Sequence, residues 1–229
     1  MNRPALILAK TLALACLPVG TTWAAPVTLH NFQYGYEAID TTMTGVVGVG
    51  ALVGEYNGSA SNSFVTFCTD LFQSFSWNVT YSNYDVVANG AAPGLTFAQA
   101  NMLGKLFTAA GTIDTHDESV AFQLAVWEIT HDSLPASVLT GSFAVESGGT
   151  STQLQMADAW LGIATTVNSA NNFTVNRLYS PTQQDFLIAT RLPPGGPNIG
   201  TAPEPAGMAL VASALFTLGL VRRRAARRP

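Results

Sequence analysis

Residues 115–129 read THDESVAFQLAVWEI, and this stretch predicts a helix that is buried on every side. Thr115 followed by Glu118 matches a capping box, in which each side chain accepts a hydrogen bond from the other residue's backbone N–H. After the first turn the run is apolar almost all round, as expected of a buried helix. Gln123 lies one turn from Val120 and from Trp127, so its carboxamide is expected to be buried with them. Since a buried amide without a partner costs about 1–3 kcal/mol, Gln123 requires a hydrogen-bond partner.

The segments around this helix predict a single small α+β domain, with strands first, a helical segment next and two closing strands last. Short apolar runs bounded by clusters of Gly, Asn and Ser predict the strands. Capping pairs predict the helix starts at Thr96/Gln99, Thr115/Glu118 and Thr152/Gln155. The predicted strands are Val27–Tyr36, Thr44–Val53, Phe64–Leu71, Trp77–Val87, Phe173–Tyr179 and Asp185–Leu192, and the predicted helices are 97–109, 116–130 and 153–166.

Charge is scarce and unevenly distributed. Only 10% of the residues are charged and 48% are hydrophobic, which excludes a disordered acidic or basic chain. Between residues 25 and 201 the basic residues are Lys105, Arg177 and Arg191, against thirteen carboxylates. This body is therefore strongly acidic, which argues against nucleic acid as a partner.

The N-terminus predicts a secretory signal peptide over residues 1–24. Arg3 and Lys10 supply the positive region, an apolar stretch TLALACLPV follows, and Thr22-Trp23-Ala24 offers a cleavage site before Ala25. A buried helix is disfavoured by Pro18 and Gly20, and a lipoprotein site at Cys16 by the position of Leu14. The domain over residues 25–192 is therefore expected to be exported through the inner membrane.

The C-terminus has three parts in a fixed order. A Pro/Gly linker over 193–205 ends in Pro-Glu-Pro, and a tail over 206–229 contains sixteen uncharged residues and then a basic cluster. As a helix, the uncharged run spans roughly 24 Å, short of a hydrocarbon core of about 30 Å. Arginines on its inner side would leave the body outside. The residues of this pattern are Pro203, Glu204, Pro205, Arg222, Arg223 and Arg224.

This tail resembles the PEP-CTERM sorting signal of Gram-negative bacteria. The resemblance implies recognition by an exosortase-type membrane protease, transient anchoring through a single-pass helix, and release or attachment at the cell surface. A permanent single-pass anchor is the alternative.

Motifs for turnover chemistry are missing from the sequence. It contains no GxSxG, HExxH, Walker loop, GxGxxG, CxxC or DxDxDG. His116 and His131 fall at opposite ends of one predicted helix, about four turns apart, and so cannot share a metal ion. We therefore predict no cofactor, no metal site and no turnover enzyme.

Cys68 is the only cysteine left once the signal peptide is removed. It cannot form an internal disulfide, although an exported protein meets an oxidising compartment. Such a thiol can be buried and inert, cross-linked to another chain, or covalently occupied.

Two segments resemble the signatures of thioester domains: Phe67-Cys68-Thr69-Asp70 and FQLAVWEI over residues 122–129. The resemblance extends from about Phe64 to Phe186 and implies that the Cys68 sulfur and the Gln123 carbonyl form an internal thioester. Such a bond captures amines on a target surface. Asp70 is expected to oppose thiolate formation, and Glu128 and His131 are candidate assisting groups. Thr69 and Phe122 depart from the usual pattern.

Two functions stay open at this point. The first is a covalent binding module that reacts once, through Cys68 and Gln123, with an amine-bearing surface or matrix partner. The second is a non-covalent structural or exopolysaccharide-associated surface protein in which these two residues are merely packed. A hydrolase would need a nucleophile–base constellation that the sequence does not offer.

Overall fold

A computed structural model describes residues 24–57, 63–133 and 135–193. Almost all of the predicted signal peptide and of the Pro/Gly linker, and the whole of the predicted sorting tail, lie outside these residues. Within them the chain forms β1 Ala25–Phe32, β2 Glu37–Thr41, β3 Gly45–Val49, β4 Leu52–Tyr56, β5 Ser63–Thr66, β6 Thr80–Val87, α1 Phe97–Ala110, α2 His116–His131, β7 Val145–Ser147, α3 Ser151–Ala164, β8 Phe173–Tyr179 and β9 Phe186–Arg191.

The predicted α+β class is confirmed, and so is the buried helix. Every residue of α2 from Ser119 to Ile129 is buried, and the capping box of Thr115 and Glu118 is present. The helix packs against α1, α3 and β3. His116 and His131 are its first and last residues, as predicted.

The predicted start of α3 is wrong by two residues. The capping pair is Thr150 and Gln153, not Thr152 and Gln155. Two glycines with positive φ, Gly148 and Gly149, turn the chain immediately before Thr150, where residues with a Cβ would be strained. The turn therefore fixes the helix start and buries Gln153.

Four strand predictions also needed correction. The predicted strand Phe64–Leu71 ends at Thr66, because its partner strand β4 begins at Leu52, opposite Thr66. The predicted strand Trp77–Val87 begins at Thr80, because Asn78, with φ of 59°, turns the chain before it.

The first strand ends at Phe32 rather than at residue 36, because Gly35 turns the chain with φ of 80°. The run 44–53 is two strands, β3 and β4, which are separated at Gly50. A Cβ at Gly50 would lie 2.8 Å from the carbonyl oxygen of Gly35, so the chain bends where the two backbones approach. The short strands β2 and β7 pair in a separate three-stranded sheet and were not predicted.

The main sheet is antiparallel and closes almost into a barrel. Its strand order is β5-β4-β1-β6-β8-β9. The chain leaving β5 then pairs with the start of β9: the N–H of Leu187 donates to the Phe67 carbonyl at 3.0 Å, and the N–H of Thr69 donates to the Asp185 carbonyl at 2.9 Å. The seam between the two edges of the sheet thus runs through residues 67–69.

Two apolar cores meet at this seam. One lies among the helices, β2, β3 and the side of β8 and β9 that faces the helices. The other lies between β1, β4, β6 and the opposite side of β8 and β9. Cys68 packs against both. No helix among the described residues is long and apolar enough to span a bilayer.

Candidate functional site

Cys68 occupies the centre of the seam, bridged to Phe186 of β9. In an antiparallel ladder, alternate residues direct their N–H and C=O groups to opposite sides. The neighbours Phe67 and Thr69 bond to β9, so the N–H and C=O of Cys68 face away from that strand. On that side β4 offers no partner, because its first residue, Leu52, already pairs with Thr66 and the strand extends away from Cys68. The backbone of Cys68 therefore needs a partner from outside the sheet.

The side chain of Gln123 supplies that partner. Its Oε1 accepts a hydrogen bond from the Cys68 N–H at 2.8 Å, and its Nε2 donates to the Cys68 carbonyl at 2.9 Å. Gln123 is 1% exposed. The expectation that this amide is buried and paired is thereby confirmed, and the two residues singled out in the sequence lie in contact.

The double hydrogen bond fixes the carboxamide relative to the backbone of Cys68. Because Oε1 and Nε2 of Gln123 bond to the N–H and the C=O of the same residue, the carboxamide carbon between them lies opposite the Cα of Cys68. The Sγ atom is two bonds from that Cα and can move towards or away from the amide by rotation about one bond. The Cys68 N–H also points at the oxygen on which charge would develop during attack at the carboxamide carbon.

The thiol is held in its protonated form. Burial raises the pKa of Cys68, and the carboxylate of Asp70 raises it further. The direction of this shift agrees with the opposition to thiolate formation that the sequence predicts for Asp70. Asp70 itself lies beyond the end of β5, where its Oδ1 accepts from the N–H groups of Phe72 and Gln73 at 3.0 and 2.9 Å.

A polar cluster behind the seam holds the two paired segments together. Oδ2 of Asp70 accepts from the N–H of Asp185 at 2.8 Å, and the Gln184 side chain donates to the Asp70 carbonyl. Burial raises the pKa of Asp185 to about 6, while Arg177, 3.8 Å away, opposes that shift. These contacts position the chain segment that bridges Cys68.

The two candidate assisting groups, His131 and Glu128, lie outside the cavity that contains Cys68. Burial lowers the pKa of His131, whose imidazole lies near Thr69 and Asp70 and packs edge-on against Phe72. Burial raises the pKa of Glu128 to about 7, and its Oε1 accepts from the N–H of Ala136 at 3.0 Å.

Cys68 is half-buried and lines a cavity of about 320 Å³. Trp127 lines the same cavity from α2, one turn after Gln123. Much of the rest of the wall comes from the segment that follows Cys68, which reads LFQSFSW over residues 71–77. The aromatic residues of this segment were not predicted as site residues, although three of its seven positions are aromatic.

The sorting residues cannot be placed in this way. Pro203, Glu204, Pro205, Arg222, Arg223 and Arg224 all lie outside the described residues. Within the described ranges, no group of three or more His, Cys, Asp or Glu side chains is arranged to hold a metal ion.

Comparison of the chain with protein-family models, with curated proteins and with solved structures finds no match.

Proposed function

We propose that this protein is an exported cell-surface or matrix protein whose domain binds covalently, once, through an internal thioester between Cys68 and Gln123. The observation that carries the proposal is the double hydrogen bond between the Gln123 carboxamide and the Cys68 backbone. It joins the two residues that the thioester-domain resemblance selects, across fifty-five positions of the chain.

The chemistry follows from that contact. Sγ of Cys68 attacks the carboxamide carbon of Gln123, a C–S bond forms, the C–N bond breaks, and the thiol proton leaves with the nitrogen as ammonia. The Cys68 N–H stabilises the oxygen during this step. A target amine then attacks the same carbon, the C–S bond breaks, and a proton passes from the amine to sulfur. The product is a stable amide and a free thiol, so the bond serves as a stored acyl donor and not as a turnover site.

The sorting part of the proposal rests on the tail. Pro-Glu-Pro, a short uncharged run and a basic end favour an exosortase-type protease as partner and a transient membrane anchor. Glu204→Ala should leave the protein in the membrane at full length. Release and trimming of this variant at the wild-type rate would favour ordinary shedding from a permanent anchor instead.

A second candidate function is non-covalent association with a surface polysaccharide. The two hydrogen bonds from Gln123 also satisfy the backbone N–H and C=O of Cys68, which have no partner in the sheet. This structural role alone would explain why Gln123 is buried at this position. The aromatic residues around the cavity favour sugar binding by stacking, with or without a reactive bond.

Intact mass separates the two functions. A thioester makes the purified protein lighter than its mature sequence by one ammonia. Methylamine should restore mass at Gln123 and free the Cys68 thiol, and Cys68→Ala should abolish both the deficit and the adduct. Gln153, an equally buried glutamine on α3, serves as the internal control and should stay unmodified. A full-mass wild type with a titratable thiol rejects the covalent function.

A further inference from the structure

The cavity beside Cys68 is walled by aromatic rings at several orientations. Phe32, Phe75, Trp77 and Trp127 all line it. The Phe32 and Trp77 rings meet edge-on with centroids 5.2 Å apart, and Phe75 and Trp77 do so at 4.7 Å. A faceted wall of this kind offers flat apolar faces to a ligand at more than one angle.

The aromatic wall continues outside the mouth of the cavity. Trp77 is 39% exposed, and Tyr36, which is 59% exposed, stacks on Phe32 with ring centroids 5.1 Å apart. Scattered apolar residues are ordinary on a protein surface, but a contiguous exposed aromatic patch marks a binding site. The arrangement suits an extended chain with one unit in the cavity and another on the platform of Tyr36 and Trp77.

Free hydrogen-bonding groups lie among these rings. Gln73 and Ser74 line the cavity, and within the described part of the chain their side chains have no hydrogen-bond partner. A few polar groups set into an apolar wall fix the orientation of a ligand that carries hydroxyl groups. A pyranose ring has this character, since its faces are apolar and its rim is made of hydroxyl groups.

Charge around the cavity favours a neutral or cationic ligand. Asp70 lines it, and no Lys or Arg does. Two of the three basic residues of the domain have partners outside the cavity. Lys105 donates to the carbonyl groups of Thr166 and Val167, and Arg177 donates to the Pro93 carbonyl and lies 3.8 Å from the carboxylate of Asp185. An anionic polymer would therefore be repelled.

The protonation state of the incoming amine further limits which class of ligand can react. A lysine side chain is protonated at neutral pH and would have to lose a proton before attack. The oxygens of Asp70 already accept three backbone N–H bonds, so this carboxylate is engaged in holding its own loop and β9. An amine on a sugar ring, next to carbons that carry hydroxyl groups, is less basic than lysine and supplies more free amine.

We infer that the cavity is a binding site for an amino-sugar unit of a polysaccharide, whose free amine is presented to the Cys68–Gln123 bond. The covalent part of this inference rests on the proposed thioester, whereas the binding part does not. Attack of the sugar amine on the Gln123 carbonyl carbon breaks the C–S bond, returns one proton to Sγ and leaves the sugar linked through an amide.

Binding is tested without the reactive bond, in the otherwise intact protein carrying Cys68→Ala. The probes are a glucosamine tetramer and its fully N-acetylated form, followed by calorimetry. We expect both to bind, Trp77→Ala to weaken binding about tenfold, and Trp77→Phe to restore most of it. Gln73→Ala, which alters a free polar group, should weaken binding by less. Phe97→Ala, which removes a 74% exposed aromatic ring on α1, is the matched control and should change nothing.

Covalent capture is tested in the wild type by mass. The glucosamine tetramer should form an adduct at Gln123 at least tenfold faster than a lysine-containing peptide, and the acetylated tetramer should form none. A wild type without the ammonia deficit removes the proposed function, yet the calorimetry still decides whether the sugar site exists. A thioester that reacts with the peptide as fast as with the sugar, or a cavity that binds neither tetramer, overturns this inference and points to a protein target.

Discussion

Helices α2 and α3 each bury one glutamine, and the two amides are satisfied in different ways. Gln153 lies in the first turn of α3, where its Oε1 accepts from the Thr150 N–H at 2.8 Å and its Nε2 donates to Asp117 at 2.7 Å. Its partners belong to its own cap and to a half-exposed side chain. Gln123 lies in the middle of α2 and has no local partner, so it bonds to a strand seam from another part of the fold.

The contrast shows what distinguishes a candidate reactive amide from a structural one. Burial does not, because both glutamines are at most 1% exposed. What differs is the partner: a helix cap for Gln153, and for Gln123 the backbone of the only cysteine in the described residues. The predictions below test this difference.

The largest change in the free energy of unfolding is expected when the amides of Gln123 and Gln153 are removed. Gln123→Ala leaves the N–H and C=O of Cys68 buried without partners, at about 1–3 kcal/mol each. We expect a loss of about 3 kcal/mol in the free energy of unfolding, measured by urea denaturation. Gln153→Ala should cost about 1 kcal/mol, because Asp117 can turn to water and only a cap is lost. Equal losses would mean that the two amides are structurally equivalent.

A second test converts each amide into a carboxylic acid of the same shape. Gln123→Glu sets a carboxyl group against the Cys68 carbonyl, which favours the protonated form and raises the pKa of that group in the folded state. A raised folded pKa gives stability that is present below the unfolded value near 4.3 and is lost as pH rises.

The variant should therefore match the wild type most closely at pH 4 and be destabilised by about 2 kcal/mol at pH 7. Gln153→Glu keeps the capping box, in which Glu is as suitable as Gln, but it sets a second carboxylate against Asp117. Because Asp117 is half-exposed and can turn to water, this variant should show a smaller difference between these pH values. A flat profile for Gln123→Glu would contradict the paired geometry at Cys68.

Much of this arrangement could be predicted from residue patterns. The apolar surroundings of Gln123 indicate its burial, and burial demands a partner. Capping pairs place α1 and α2 within a residue of their observed ends. The identity of the hydrogen-bond partner of Gln123 was not available from the residues alone, since it depends on where β4 begins and on closure of the sheet between Thr69 and Asp185. The family resemblance supplied the pair instead.

The errors share one physical origin. The Thr152 cap and the long strand 44–53 were predicted from local pattern, but glycine turns at Gly149 and Gly50 set the boundaries. Three residues of the cavity wall, Phe32, Phe75 and Trp127, come from separate parts of the chain that only the fold assembles.

A third, smaller effect on stability is expected from Glu128, a carboxylate buried on α2. The folded pKa of Glu128 is about 7, raised by burial from an ordinary value of 4.5. The native state therefore binds more protons between these values, and stability falls as pH rises from about 4.5 to 7. Glu128→Gln keeps an acceptor for Ala136 and cannot ionise. It should stabilise the protein by about 1–2 kcal/mol at pH 8 and by nothing at pH 4.5, with Asp185 still titrating near pH 6 in both proteins.

Amine labelling at Gln123 should persist in Glu128→Gln. Loss of labelling in this variant would instead show that Glu128 assists the reaction.

The smallest change in stability is expected at Thr150, the N-cap residue of α3. The Thr150 hydroxyl accepts from the Gln153 N–H at 3.2 Å, so Thr150→Ala removes one capping bond and should cost about 1 kcal/mol or less. Thr152→Ala alters an exposed first-turn residue that caps nothing and should leave stability unchanged. Neither variant touches the seam, so methylamine labelling of the protein should proceed at the wild-type rate in both. Slower labelling in Thr150→Ala alone would show that the cap of α3 affects the Cys68–Gln123 contact, through the hydrogen bond from Gln153 to Asp117 on α2. The two buried glutamines would then not act independently.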